Sequence, residues 1–143
     1  MISLLDTNII SLAMSADPAV VAELGKLEPG EAAISAVTYA EIRYGLQRGS
    51  LQGAPGGRAA LARKQELFDR LMRHIDVLAW DADAAIAYAE ERIACEKDGQ
   101  SLDQADLMIL AHAGSTGRML VTRDAALQRR SRNGPHKTRV VGW

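Results

Sequence analysis

Four carboxylates in this sequence stand where a carboxylate needs a reason. Asp6 closes the apolar run Ile2–Leu5 and precedes Thr7 and Asn8, while Asp124 follows "MLVTR" at the end of a second apolar run. Glu41 lies in "SAVTYAEIRYGL" (35–46) and Asp106 in "DQADLMILAHA" (103–113), two stretches rich in apolar residues. Carboxylates gathered without matching cations repel strongly at a spacing of ~4–7 Å. A divalent cation relieves that repulsion, and a donor set of Asp and Glu oxygens selects hard ions such as Mg²⁺ or Mn²⁺ over zinc. Water activated by such an ion attacks phosphodiesters.

Each acid also has a bland explanation. Asp6 and Asp124 both precede helical patterns and suit helix N-caps. Asp106 falls three residues after Asp103, itself an N-cap candidate, in the positively polarised first turn of a helix. The apolar "LMILA" that follows nevertheless draws Asp106 inward. Glu41 shares a helix face with Thr38 and Gly45 on a stretch apolar around most of its circumference, so partial burial is expected. Arg43, two positions on, does not face it. Other chemistries lack their residues. His74, His112 and His136 show no zinc spacing, and neither a GxxxxGK[ST] loop nor a GxSxG elbow occurs. His112, Cys95, Trp80, Tyr88 and Trp143 read as packing residues.

The elements that must position the acids alternate. Continuous apolar runs at Ile2–Leu5, Ala32–Ser35, Val77–Ala79, Met119–Thr122 and Arg139–Gly142 suit strands covered on both faces. Helices are expected from Asp17-Pro18, over Ala36–Gln47 behind Ser35, over Arg63–His74, over Ala82–Lys97 behind Asp81 and over Gln104–Ser115 behind Asp103. "GSLQGAPGGR" (49–58) reads as a flexible loop. The alternation predicts an α/β fold with a mostly parallel five-stranded sheet, in which ligands sit beyond the carboxyl ends of strands.

The 143 residues fit one domain, residues 1–143. No apolar run approaches the ~20 residues needed to cross a bilayer, and the lone Cys95 suits a reducing cytoplasm. A net charge of -1 hides a block pattern: residues 76–106 hold nine acids and two bases, residues 107–143 seven bases and one acid. Basic surface beside an acidic centre is one consequence of such blocks.

Together and in order, "LLDTNIIS", "ISAVTYAEIRYG", "DLMILAHA" and "LVTRD" resemble the PIN-domain ribonucleases, most of all the VapC-type toxins of bacterial toxin–antitoxin pairs. The resemblance covers essentially the whole chain. It implies a three-layer α/β/α fold, a homodimer and a Mg²⁺-dependent endoribonuclease in which Mn²⁺ substitutes. Position by position, the family's acids fall on Asp6, Glu41, Asp106 and Asp124, with Asp6 and Asp106 as metal ligands. Thr7, Asn8 and Thr122 fall on the polar residues that flank the metal. Leu110 departs from the family's habit of a small residue, and Asp124 stands where many members carry Asn. A VapB-like antitoxin is implied, placing an Arg or Lys in the acidic site, and structured RNA such as transfer RNA is the implied substrate. An acidic centre repels phosphate, so the grip on RNA is expected from basic blocks: Arg129 and Arg130 near the site mouth, or Arg58, Arg63 and Lys64. Two other classes stay in view. A phosphotransfer receiver needs paired acids after its first strand and a late lysine; a binding module would use all four acids as caps and hold no metal.

Overall fold

The structure, a computed structural model, describes residues 2–143. Five strands, β1 (Ser3–Leu5), β2 (Ala32–Ser35), β3 (Asp76–Leu78), β4 (Met119–Val121) and β5 (Val140–Val141), form one sheet in the order β3-β2-β1-β4-β5. Every ladder among the described residues is parallel. Parallel neighbours need crossovers, and helices supply them. α1 (Thr7–Met14) and α2 (Pro18–Leu24) join β1 to β2, and α3 (Ala36–Gln52) and α4 (Gly57–Leu71) join β2 to β3. α5 (Ala82–Lys97) and α6 (Gln104–Thr116) lead to β4, and α7 (Ala125–Asn133) leads to β5.

Side chains alternate along the central strands and so feed two cores. Leu5, Val121 and Ile34 join Ile9, Ile10, Ile42 and Phe68 on one face of the sheet. Leu4, Leu120 and Ala33 join Ile109, Leu110 and Leu127 on the other. Burying each such Leu or Ile is worth roughly 1.5–3 kcal/mol, so β1 and β4 form a rigid base. The result is three layers, helices on both faces of the sheet, as the resemblance implies. The chain winds outward from β1 to β3, then returns to lay β4 on the other side of β1. Strand order therefore reverses between β1 and β4, the place where such sheets hold ligands.

Local expectations fail in three places. The stretch 49–58 is not an open loop, since α3 runs on to Gln52 and α4 starts at Gly57, well before Arg63. Gly49 eases this: a Cβ there would lie 3.1 Å from Leu61 Cδ1, tight enough that Leu61 would have to give way for α3 and α4 to stay so close. α3 is also less buried than its apolar sequence suggests. Thr38, Ile42 and Leu46 face inward, but Tyr44 is 67% and Leu51 76% exposed, and Glu41 lies on the exposed side. Finally, Asp103 occupies the N-cap position of α6 but its side chain makes no capping bond. Asp17, Ser35 and Asp81 do cap as expected, accepting from Val20, Val37 and Ala84 N–H groups.

Candidate active site

Asp6 and Thr122 build the site's foundation at the reversal point. The Asp6 N–H donates to Val121 O at 2.9 Å, extending the β1–β4 pairing by one residue. The Asp6 side chain is buried; its Oδ1 accepts from the Thr7 N–H at 2.8 Å and its Oδ2 from the Thr122 hydroxyl at 2.6 Å. That hydroxyl in turn accepts from the Asn8 amide at 3.2 Å and from the Asp124 N–H at 3.0 Å. One buried hydroxyl thus fastens two strand ends and the start of two helices. Asp124 caps α7, accepting from the Leu127 N–H at 3.0 Å.

Asp106, in the first turn of α6, is half-buried and has no hydrogen-bonding or ion-pairing partner among the described residues. It faces Asp6 and Asp124 across an open cavity of about 580 Å³. Glu41 stands at one side: its Oε1 accepts from the Thr7 hydroxyl at 2.6 Å, and Thr7 lines both this cavity and the groove that Glu41 borders. The structure therefore gathers Asp6, Asp106 and Asp124 in one cavity and holds Glu41 at its margin. Thr7 and Thr122 orient Asp6, Thr7 also holds Glu41, and Asn8 steadies Thr122, while Asp106 is left without a bonding partner among the described residues.

The electrostatics are those of an uncompensated acid cluster. Burial, then the charges of Asp6, Asp124, Asp103 and Glu41, push the Asp106 carboxyl up to about 6. Asp6 is also raised, chiefly by burial, against the hydrogen bonds from Thr122 and Thr7 that favour its charged form. The cation nearest in sequence is diverted. Arg123 pairs with Asp17 at 3.2 Å and donates to the Trp143 carbonyl at 2.6 Å.

These residues fit a hard divalent ion: the donors are oxygens, the cluster lacks a cation, and the cavity is open. Among the described residues no three Asp, Glu, His or Cys side chains are drawn tightly enough to enclose an ion unaided.

Ser11 and Ser15 also line the cavity, two residues to which the resemblance assigns no role. Their spacing is the signal that points to them, for Thr7, Ser11 and Ser15 recur every fourth residue, the first two on one face of α1 and Ser15 at its C-cap. The expected role of Arg130 in gripping RNA is overturned. Its side chain is fully buried, pairing with Asp98 at 2.5 Å and Glu91 at 3.5 Å and donating to Gln100 at 3.0 Å. Adjacent residues on a helix point in directions about 100° apart, so burying Arg130 leaves Arg129 exposed. His112, by contrast, is a satisfied core residue whose Nδ1 lies 2.9 Å from Ser35 Oγ.

Comparison with known proteins gives the family and the fold. The PIN domain model matches residues 3–133. A Shigella flexneri protein named tRNA(fMet)-specific endonuclease VapC is 32% identical over 83% of each chain. VapC ribonuclease Y4jK of Sinorhizobium fredii is 32% identical over 85% of this chain and 86% of its own. A solved DNA-bound VapBC from Salmonella typhimurium superimposes with a TM-score of 0.80 at 26% identity, covering 100% of this chain and 98% of its own. The chain belongs to the PIN-domain family, in its VapC branch.

Proposed function

We propose that the protein is a metal-dependent endoribonuclease, one nuclease domain over residues 1–143, acting as the toxin of a toxin–antitoxin pair. The carrying observation is the uncompensated convergence of Asp6, Asp106 and Asp124 where strand order reverses, in a chain of the VapC branch. Asp6 and Asp106 would hold Mg²⁺ or Mn²⁺, with Asp124 completing the acidic wall. When bound, the ion supplies positive charge to the phosphate and acidifies a water for in-line attack. Thr122 aims Asp6 by donating to it, a bond that favours the charged form against burial, and Glu41, anchored through Thr7, orients the attacking water. Water, not the ribose 2′-hydroxyl, is the nucleophile, so the products carry a 5′-phosphate and a 3′-hydroxyl. The names of the relatives favour transfer RNA as substrate.

An acid cluster free of metal is a good seat for a guanidinium or ammonium group. A VapB-like antitoxin places an Arg or Lys against Glu41 and Asp106, and the solved VapBC relative supports a partner of this kind. The protein works in the cytoplasm; none of its described helices is long and apolar enough to cross a membrane. It pairs with a second copy, for which Ile86 and Ile93, exposed and seven residues apart on α5, are the natural surface.

The decisive experiment incubates total cellular RNA with the protein in Mg²⁺, in Mn²⁺ and in EDTA, and maps the ends. Cleavage is expected only with metal, with 5′-phosphate ends, and is expected to vanish in Asp6→Asn and Asp106→Asn. Equal cleavage in EDTA, or 2′,3′-cyclic phosphate ends, would overturn the reading.

A further inference from the structure

Beside the acid cluster runs a groove of about 720 Å³ between α1, α3 and α4, and Thr7 and Glu41 form its near end. Two glycines of α3 line it, and they differ. Gly49 has a packing reason, since a Cβ there would press on Leu61. Gly45 has none: a Cβ would meet nothing within 4 Å, and its φ is not positive. A glycine inside a helix weakens it relative to alanine. With neither backbone conformation nor close packing to explain Gly45, what it contributes is empty space one turn from Glu41.

The surroundings of that space are chemically specific. Met14, Ile42, Leu46 and Leu61 give it an apolar floor, and Arg48 and Lys64 stand on its walls. Among the described residues neither cation is paired with a carboxylate; Arg48 Nε donates only to the neutral Gln52 at 3.1 Å. Apolar floor with unpaired cations above it matches a single nucleic-acid strand, which presents flat base faces and a phosphate backbone. The groove shares Thr7, Ser11 and Ser15 with the cavity of the acid cluster, so a strand lying in it would reach toward Asp6 and Asp106 with its next phosphate.

The geometry points to this groove as the seat of the RNA nucleotides flanking the cleaved bond, with Gly45 supplying the room and Arg48 and Lys64 neutralising phosphates. The inference rests on the nuclease reading above and names where its substrate lies. It also gives the protein the basic grip that Arg130 does not supply.

The test measures binding, not cleavage. A fluorescein-labelled single-stranded RNA oligonucleotide of mixed sequence is titrated in EDTA against wild type, Gly45→Leu, and Arg48→Ala with Lys64→Ala, across a range of salt. Gly45→Leu is expected to weaken binding about tenfold or more with its melting temperature unchanged or raised. The double substitution is expected to weaken binding and to make the log–log salt dependence shallower by about 1.4, at ~0.7 per lost phosphate contact. Should Gly45→Leu fold poorly, the double substitution, confined to surface cations, decides alone. Unchanged affinity and unchanged slope overturn the groove assignment and leave it to a protein segment. Mn²⁺ titration of the same variants separates the two readings. Normal Mn²⁺ binding with indifferent RNA affinity sinks the groove alone, whereas no Mn²⁺ binding even in wild type sinks the metal reading and leaves the groove result standing.

Discussion

Two charged clusters lie at opposite ends of α7, and they are built on opposite terms. At its start, Asp124 joins Asp6 and Asp106 with no cation among them. Near its end, Arg130 is buried against Glu91, Asp98 and Gln100. In both clusters burial is the largest influence on an acid, raising Asp106 and Glu91 alike. The neighbours tell them apart. Around Asp106 every other influence is a negative charge that raises it further, whereas around Glu91 the charges of Arg130 and His136 pull it back. A raised carboxyl is therefore not in itself a sign of function here. A raised carboxyl with only like charges around it, as at Asp106, lacks the structural partner that accounts for Glu91.

The comparison makes opposite demands on substitution. Arg130→Met should cost about 3–5 kcal/mol, because it strands the Glu91 carboxylate in the interior, and Arg130→Met with Glu91→Leu should recover most of that. Urea unfolding of the two variants checks it; a loss below 1 kcal/mol for Arg130→Met would mean the cluster is not structural. Next in size is Thr122→Val, which keeps the shape but removes the hydroxyl that Asp6, Asn8 and Asp124 share. About 1–3 kcal/mol of stability should be lost, with RNA cleavage down roughly 10–100-fold. If cleavage stays at the wild-type rate, Asp6 does not need that bond to act.

A smaller effect distinguishes the acid cluster by its sign. In metal-free protein, native Asp106 keeps its proton up to about 6, while the unfolded chain releases it near 3.8. Between those values the native state binds more protons, so this group's contribution to stability falls as pH rises and reaches its minimum above about pH 6. Asp106→Asn should flatten that slope and melt higher than wild type at pH 7 in EDTA. A lower melting temperature would show that the carboxylate has a partner. The least effect belongs to Asp103→Asn. Asp103 makes no capping bond, so stability should move by no more than about 0.5 kcal/mol. A larger loss in thermal denaturation would restore it as a cap.

What the sequence disclosed, and what it concealed, follows from how far apart the interacting residues are. The central strands β1, β2 and β4 were legible because burial on both faces writes a continuous apolar run into each, whereas the edge strands β3 and β5 keep short apolar runs while partly exposed. Asp6 and Asp124 were legible because each ends such a run, and a reversal of strand order puts both ends together. Arg130 was not. It sits in a basic stretch that looks solvated, and its partners Asp98 and Gln100 lie 32 and 30 residues away in sequence. Glu41 was misjudged for a related reason. The apolar residues around it, Tyr44 among them, suggest burial, yet Tyr44 is itself largely exposed. The stretch at 49–58 misled because glycine and proline ordinarily open loops, whereas Gly49 serves close helix packing.

The bond from Thr122 to Asp6 spans 116 residues of sequence. On a ribosome, β1 and Asp6 emerge early, but the ladder that fixes them is completed only after β4 has left the exit tunnel. Until then Asp6 has no Thr122 to hold it, Asp124 has not been made, and Asp106 has no ordered neighbours. The acid cluster thus comes together late in synthesis, after most of the polypeptide has already been assembled. A nascent or prematurely released fragment lacking β4 lacks Thr122 and Asp124 as well, so the site proposed above is whole only when the chain has passed both.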